Sequence, residues 1–174
     1  MEKKHIILTG SRGVGKTTLL EKLLSCCSVP VYGFVTRSTP RREDGFHSIY
    51  LHPADGSNPD RTEENHIGDC CYGRRTTHPE VFSSLGIQYL THKADGIIAM
   101  DELGFMETDA PDFCQAVLNC FDGDVPVLAV CKDKPGVPFL EQVLAHPKAQ
   151  VYQVTEENRD VLYEKLRPVI ERYN

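Results

Sequence analysis

Residues 10–17, Gly10-Ser11-Arg12-Gly13-Val14-Gly15-Lys16-Thr17, follow the apolar run Ile6-Ile7-Leu8 and lead straight into Thr18-Leu19-Leu20-Glu21-Lys22-Leu23-Leu24. A strand, a glycine-rich turn and a helix in that order predict a phosphate-cradling loop, and correct flanks on both sides disfavour a chance match in an ordinary turn. Glycine lets the backbone bend with its N–H groups inward, while the helix behind presents unpaired first-turn N–H groups and a positive dipole end to an anion. The expected ligand is a triphosphate. Lys16 reaches its β and γ phosphates, and the Thr17 hydroxyl holds a Mg²⁺ ion bridging their oxygens. Gly10, Ser11, Arg12, Gly13, Val14, Gly15 and Thr18 complete the expected nucleotide contacts, with Arg12 either adding a contact or facing water.

The chain has 174 residues, enough for one domain over 1–174 to bury a core without disulfides or metals. Its net charge of −6 argues against a dedicated nucleic-acid surface. Met1-Glu2-Lys3-Lys4-His5 runs directly into the first expected strand, and no apolar stretch approaches membrane-spanning length. The expectation is a cytoplasmic protein with neither signal peptide nor anchor. Seven cysteines, including the adjacent pairs Cys26-Cys27 and Cys70-Cys71, form no Cys-x-x-Cys spacing and read as small buried or half-buried thiols, with a redox switch at Cys70-Cys71 as the alternative.

Further strands are expected over 29–36 and 46–51, joined as a hairpin, and residues 53–75 read as a long loop or inserted flap. A short helix over 78–90, broken at Gly86, precedes a buried strand over 94–101. Asp109 is the expected N-cap of a helix with Pro111 in its first turn and Phe113, Val117 and Leu118 inward. A strand over 125–131, a short helix carrying Phe139, Leu140, Val143 and Leu144, and a strand over 151–154 follow. Thr155 then caps a terminal helix burying Leu162, Leu166, Val169 and Ile170, which Pro168 kinks or shortens. Alternating strands and helices give an α/β fold with a mostly parallel sheet.

Asp101-Glu102 stands at the end of the apolar run over 94–101. Two adjacent carboxylates there diverge, so Asp101 is assigned to the metal and Glu102 to orienting or deprotonating the attacking water. Glu107 is either a second water-orienting carboxylate or a solvated acid ahead of a helix. Phe105 and Met106 are expected to pack locally.

With these marks in place, the chain resembles the small P-loop nucleoside-triphosphatases first described in thermophiles and also present in animals. The resemblance runs nearly the full length. It rests on residues 10–18, Gly33-Phe34-Val35-Thr36, Arg42 with Gly45-Phe46, Asp101-Glu102-Leu103-Gly104-Phe105-Met106-Glu107 and Val154-Thr155-Glu156-Glu157-Asn158-Arg159. It implies a three-layer α/β/α P-loop NTPase fold with a RecA-like sheet, one strand standing between the phosphate-loop strand and the acidic strand, and a β-hairpin insertion. It also implies that Lys16 and Thr17 bind phosphate and metal, Asp101 supports the metal and Glu102 activates water. The chain departs from its relatives at residues 37–42, at Gly104-Phe105, where they often carry Gly-Lys, and at residues 68–75.

Charge on a transferring phosphoryl group calls for a cation beyond Lys16 and Mg²⁺. Arg159, at the start of a helix after a sheet strand, is either that nucleotide contact or a surface ion pair. Arg42, Arg74 and Arg75 read as mobile surface charges. Cys131-Lys132-Asp133-Lys134 lacks the residues of a guanine-reading motif, so loose base selectivity among ATP, GTP and other NTPs is expected. The favoured activity is hydrolysis to NDP and phosphate. A small-molecule or nucleotide kinase, or a nucleotide-sensing adaptor with slow hydrolysis, are the alternatives; no protein partner is legible.

Overall fold

A computed structural model describes residues 3–57 and 59–173. Met1, Glu2, Asn58 and Asn174 lie outside them, so the expected run from the N-terminus into the first strand is seen from Lys3 onward. In chain order the elements are β1 His5–Thr9, α1 Lys16–Leu24, β2 Val31–Ser38, β3 His47–Pro53, β4 His66–Cys71, β5 Arg74–Thr77, α2 Pro79–Val81, α3 Ile87–Leu90, β6 Ile97–Leu103, α4 Pro111–Asp122, β7 Val127–Cys131, α5 Pro138–Leu144, β8 Ala149–Gln153 and α6 Arg159–Glu171.

The eight strands form one sheet in the order β5-β4-β3-β2-β6-β7-β1-β8. β2, β6, β7, β1 and β8 run parallel, and β3, β4 and β5 extend one side antiparallel. A single strand, β7, separates β1 from β6, which is the RecA-like order. Alternation along β1 sorts its side chains to two faces. Ile6 and Leu8 pack with Leu20 and Leu23 of α1 and Leu166 and Ile170 of α6. Ile7 turns to Phe113 and Phe121 of α4 and Leu140 of α5. Helices therefore cover both faces, and β1 and β7 are buried along their whole length, as parallel strands between helical layers must be.

Several expectations are corrected. Residues 53–75 are not one loop or flap throughout: a 3₁₀ turn forms at Glu63–Asn65, and β4 and β5 then continue the β2–β3 hairpin into an antiparallel run. Exposed Arg74, Arg75 and Thr76 on the edge strand carry no apolar alternation that would reveal it. Gly86 does not break its helix; it lies in a π turn, Phe82–Gly86, between α2 and α3. A Cβ there would stand 2.7 Å from the Phe113 ring, so the glycine serves close packing. Asp109 does not cap α4. It closes a 3₁₀ turn, and Ala110, held non-helical by Pro111, is the N-cap. Leu118 is only half-buried.

Thr155 acts one turn before α6: Asn158 N–H donates to Thr155 Oγ1 at 3.2 Å and Thr155 N–H to Asn158 Oδ1 at 2.8 Å, leaving Asn158 as N-cap. Pro168 does not end α6, which continues to Glu171 because Leu166 and Ile170 anchor its last turns in the core. β6 also outruns its expected end, so Asp101 and Glu102 lie within the strand, at a register shift against β7.

Candidate active site

Loop residues Gly13 and Gly15 adopt φ of 80° and 97°, a region open to glycine and costly for other residues, and this turns the chain from β1 into α1. Lys16, the first residue of α1, is buried, and its Nζ donates to the carbonyls of Gly10 at 2.9 Å and Ser11 at 2.8 Å. One residue on, the Thr17 hydroxyl donates to Asp101 Oδ1 at 3.1 Å. Residues 84 positions apart thus meet because α1 leaves the loop across the C-terminal ends of β1, β7 and β6.

Asp101 is 3% exposed, and its Oδ2 finds no hydrogen-bond partner among the described residues. Arg37 on β2 stands 3.9 Å from that oxygen while pairing more closely with Glu21 at 2.8 Å. Burial pushes the Asp101 carboxyl up to about 6, against the lowering effect of the Thr17 hydrogen bond. Glu102 points elsewhere and pairs with Lys132 Nζ at 3.0 Å. Glu107 is buried, and its Oε1 accepts the Gly104 N–H at 2.8 Å. Burial pushes it up to about 7, so the alternative of a solvated acid is removed.

These groups share a cavity of about 930 Å³ lined by Gly10, Ser11, Arg12, Gly13, Gly15, Lys16, Thr17 and Thr18 on one side and by Asp101, Glu102 and Glu107 on another. Val14 and Arg159 do not line it. Val14 packs toward the α6 layer, and Arg159 Nη1 donates to its carbonyl at 3.5 Å from outside the loop. There Arg159 borders a smaller depression with Lys22 and Tyr163.

Arg42 pairs with Asp44 at 3.3 Å, in keeping with a surface charge. Arg75 is different: its guanidinium lies 4.0 Å from the centroid of Phe105, which Lys134 and Lys132 also approach, at 3.9 and 4.8 Å. Phe105 is therefore the hub of a cationic wall of the cavity, beyond the local packing expected for it. Arg37, Lys132 and Lys134 were not predicted for the site. The register of β2 on β6, Val35 beside Asp101, is what brings Arg37 near, and β7 ending beside β6 is what brings Lys132 to Glu102.

The seven cysteines form no disulfide among the described residues; Cys120 and Cys131 are buried and the others half-buried. Burial pushes the Cys114 and Cys131 thiols up to about 12, which keeps them protonated and unreactive. No helix among the described residues is long and apolar enough to cross a membrane.

The NTPase family model matches residues 5–167. A nucleoside-triphosphatase THEP1 from Natranaerobius thermophilus is 32% identical over 98% of each chain. The human cancer-related nucleoside-triphosphatase is 30% identical over 91% of this chain and 92% of its own. The crystal structure of THEP1 from Aquifex aeolicus superposes with a TM-score of 0.74 at 26% identity, covering 97% of this chain and 99% of that one.

Proposed function

The chain belongs to the NTPase family and is a nucleoside-triphosphatase, and we propose that it hydrolyses NTPs to NDP and phosphate with Mg²⁺ and loose base selectivity, the whole chain acting as one catalytic unit. The observation that carries this reading is the meeting of Thr17 Oγ1 and Asp101 Oδ1 on the wall of the cavity that Lys16 also lines. Hydroxyl and carboxylate oxygens are the hard donors that Mg²⁺ prefers, and the unpartnered Asp101 Oδ2 is a buried oxygen suited to a cation or its water shell. Thr17 and Asp101 would hold Mg²⁺, which when bound would supply neutralisation of the negative charge on the triphosphate.

The remaining work belongs to the chain's own groups. The loop N–H groups and the N-terminus of α1 cradle the phosphates. Lys16 exchanges the Gly10 and Ser11 carbonyls for phosphate oxygens, carrying its charge along. Glu102, on the wall of the cavity, orients the attacking water and accepts its proton, with Lys132 holding the carboxylate in place. Glu107 fixes the Gly104 backbone, and with it the segment that follows Glu102. Arg159 steadies the loop from behind through the Val14 carbonyl. Among the described residues that line the cavity, none forms a guanine-reading motif, which supports the loose base selectivity.

The test is Glu102→Gln. It retains triphosphate binding and loses phosphate release by two orders of magnitude or more. Hydrolysis at the wild-type rate would remove Glu102 from its role. Phosphate that emerges only on an added acceptor hydroxyl, and never as free phosphate, would point to a kinase.

A further inference from the structure

We propose that His66, Asp69 and His78 form a second divalent-cation site, for Zn²⁺ or a similar borderline transition ion, at the base of the β4–β5 hairpin. Each residue offers one ligand atom, and the three atoms lie within 4.8 Å of one another. His66 Nε2 and Asp69 Oδ1 are 2.9 Å apart, with the two imidazole rings 4.9 Å apart between centroids. A tetrahedral ion with bonds of about 2.0–2.1 Å holds its ligand atoms roughly 3.3 Å from each other, so small side-chain rotations bring this set to a metal.

The surroundings supply the outer contacts that a metal site needs. Asp69 Oδ1 accepts the Ser48 hydroxyl at 2.6 Å, and Oδ2 accepts that of Thr76 at 3.4 Å. Glu80 Oε1 stands 3.5 Å from His78 Nδ1, close enough to orient that ring, and Tyr50 stacks on His66 with centroids 5.1 Å apart. Carboxylates and hydroxyls in such positions fix ligand orientation and strengthen binding. Two imidazoles and one carboxylate suit Zn²⁺ and leave a coordination position open, whereas Mg²⁺ prefers an all-oxygen set.

The site lies apart from the nucleotide. None of the three residues lines the large cavity, although Ile67, Cys70 and Tyr72 of the same hairpin do. His66 begins β4 and His78 follows β5, so an ion there closes the hairpin at its base and holds this cavity wall to the start of α2. The inference is independent of which residue activates water.

The test uses the 174-residue chain in excess Mg²⁺, added to fill the proposed Thr17–Asp101 site, titrated with Zn²⁺ by calorimetry and followed by thermal unfolding. The expected result is one Zn²⁺ per chain at micromolar affinity or better and a Tm raised by several degrees at about a hundredfold excess over Kd. Asp69→Asn and His78→Gln each weaken binding at least tenfold, and His78, the most exposed of the three ligands, tolerates substitution without loss of fold. A Cys70→Ser/Cys71→Ser double variant binds as tightly as wild type. No binding below about 100 μM, or binding that survives His78→Gln and disappears with the cysteines, overturns the proposal and leaves a hydrogen-bonded cluster only.

Discussion

Glu107→Gln isolates the cost of the buried carboxylate. The group is 3% exposed, and burial raises it from an ordinary 4.5 to about 7, with Glu102 adding repulsion. A carboxyl whose pKa is raised by folding binds more protons in the native state than in the unfolded one between those values. Its stabilising contribution is complete below about 4.5 and disappears as pH rises through about 7. At 1.36 kcal/mol per pH unit, the gap between 4.5 and about 7 corresponds to roughly 3 kcal/mol. Glutamine keeps an oxygen for the Gly104 N–H and never ionises, so it should not follow this curve. Urea unfolding of metal-free protein from pH 4.5 to 8.5 is the assay. The stability of Glu107→Gln relative to wild type should rise by about 3 kcal/mol across that range, or about 6–12 °C in Tm for a chain of this size. Asp101 titrates in both proteins and cancels. Parallel pH curves would refute the argument, because they would mean that Glu107 titrates like a solvated acid.

Asp101 gives the complementary pH effect: its carboxyl must ionise to hold a cation, so at limiting Mg²⁺ phosphate release should fall as pH drops through about 6 and recover with excess metal. Asp101→Asn should raise the Mg²⁺ concentration for half-maximal activity at least tenfold while preserving metal-free triphosphate binding, as read by fluorescence titration; unchanged Mg²⁺ dependence would count against the assignment. Phe105→Ala should uncouple Arg75, Lys132 and Lys134, and a double-mutant cycle of Phe105→Ala with Lys134→Ala should show coupling of about 0.5–1 kcal/mol in unfolding, whereas simple additivity would deny the ring its role.

What was legible in the sequence was what short-range patterning controls. The loop at 10–17 and the apolar run into Asp101 announce themselves because a phosphate cradle needs glycines at fixed spacing, and a strand buried on both faces must be continuously apolar. β4 and β5 were hidden because β4 is held by pairing with β3 and β5 by pairing with β4, and the polar side chains of β5 carry no alternation. Burial of Glu107 was hidden for a related reason: a carboxylate in a Gly-Phe-Met-Glu segment looks solvated until a 3₁₀ turn folds it back onto the Gly104 N–H. The ion pair between Glu102 and Lys132 and the approach of Arg37 to Asp101 depend on strand order, which no local pattern encodes. His66, Asp69 and His78 escaped for the same reason, since a hairpin closure, and not a ligand spacing, unites them.

The most direct test is a crystal structure with Mn²⁺ and a non-hydrolysable ATP analogue. The expected result is the ion beside Thr17 Oγ1 and Asp101, with Lys16 Nζ released from the Gly10 and Ser11 carbonyls onto the β and γ phosphates and Glu102 facing the γ-phosphate. A polyphosphate bound away from Lys16, or a metal bound without Asp101 or its water shell, would contradict it.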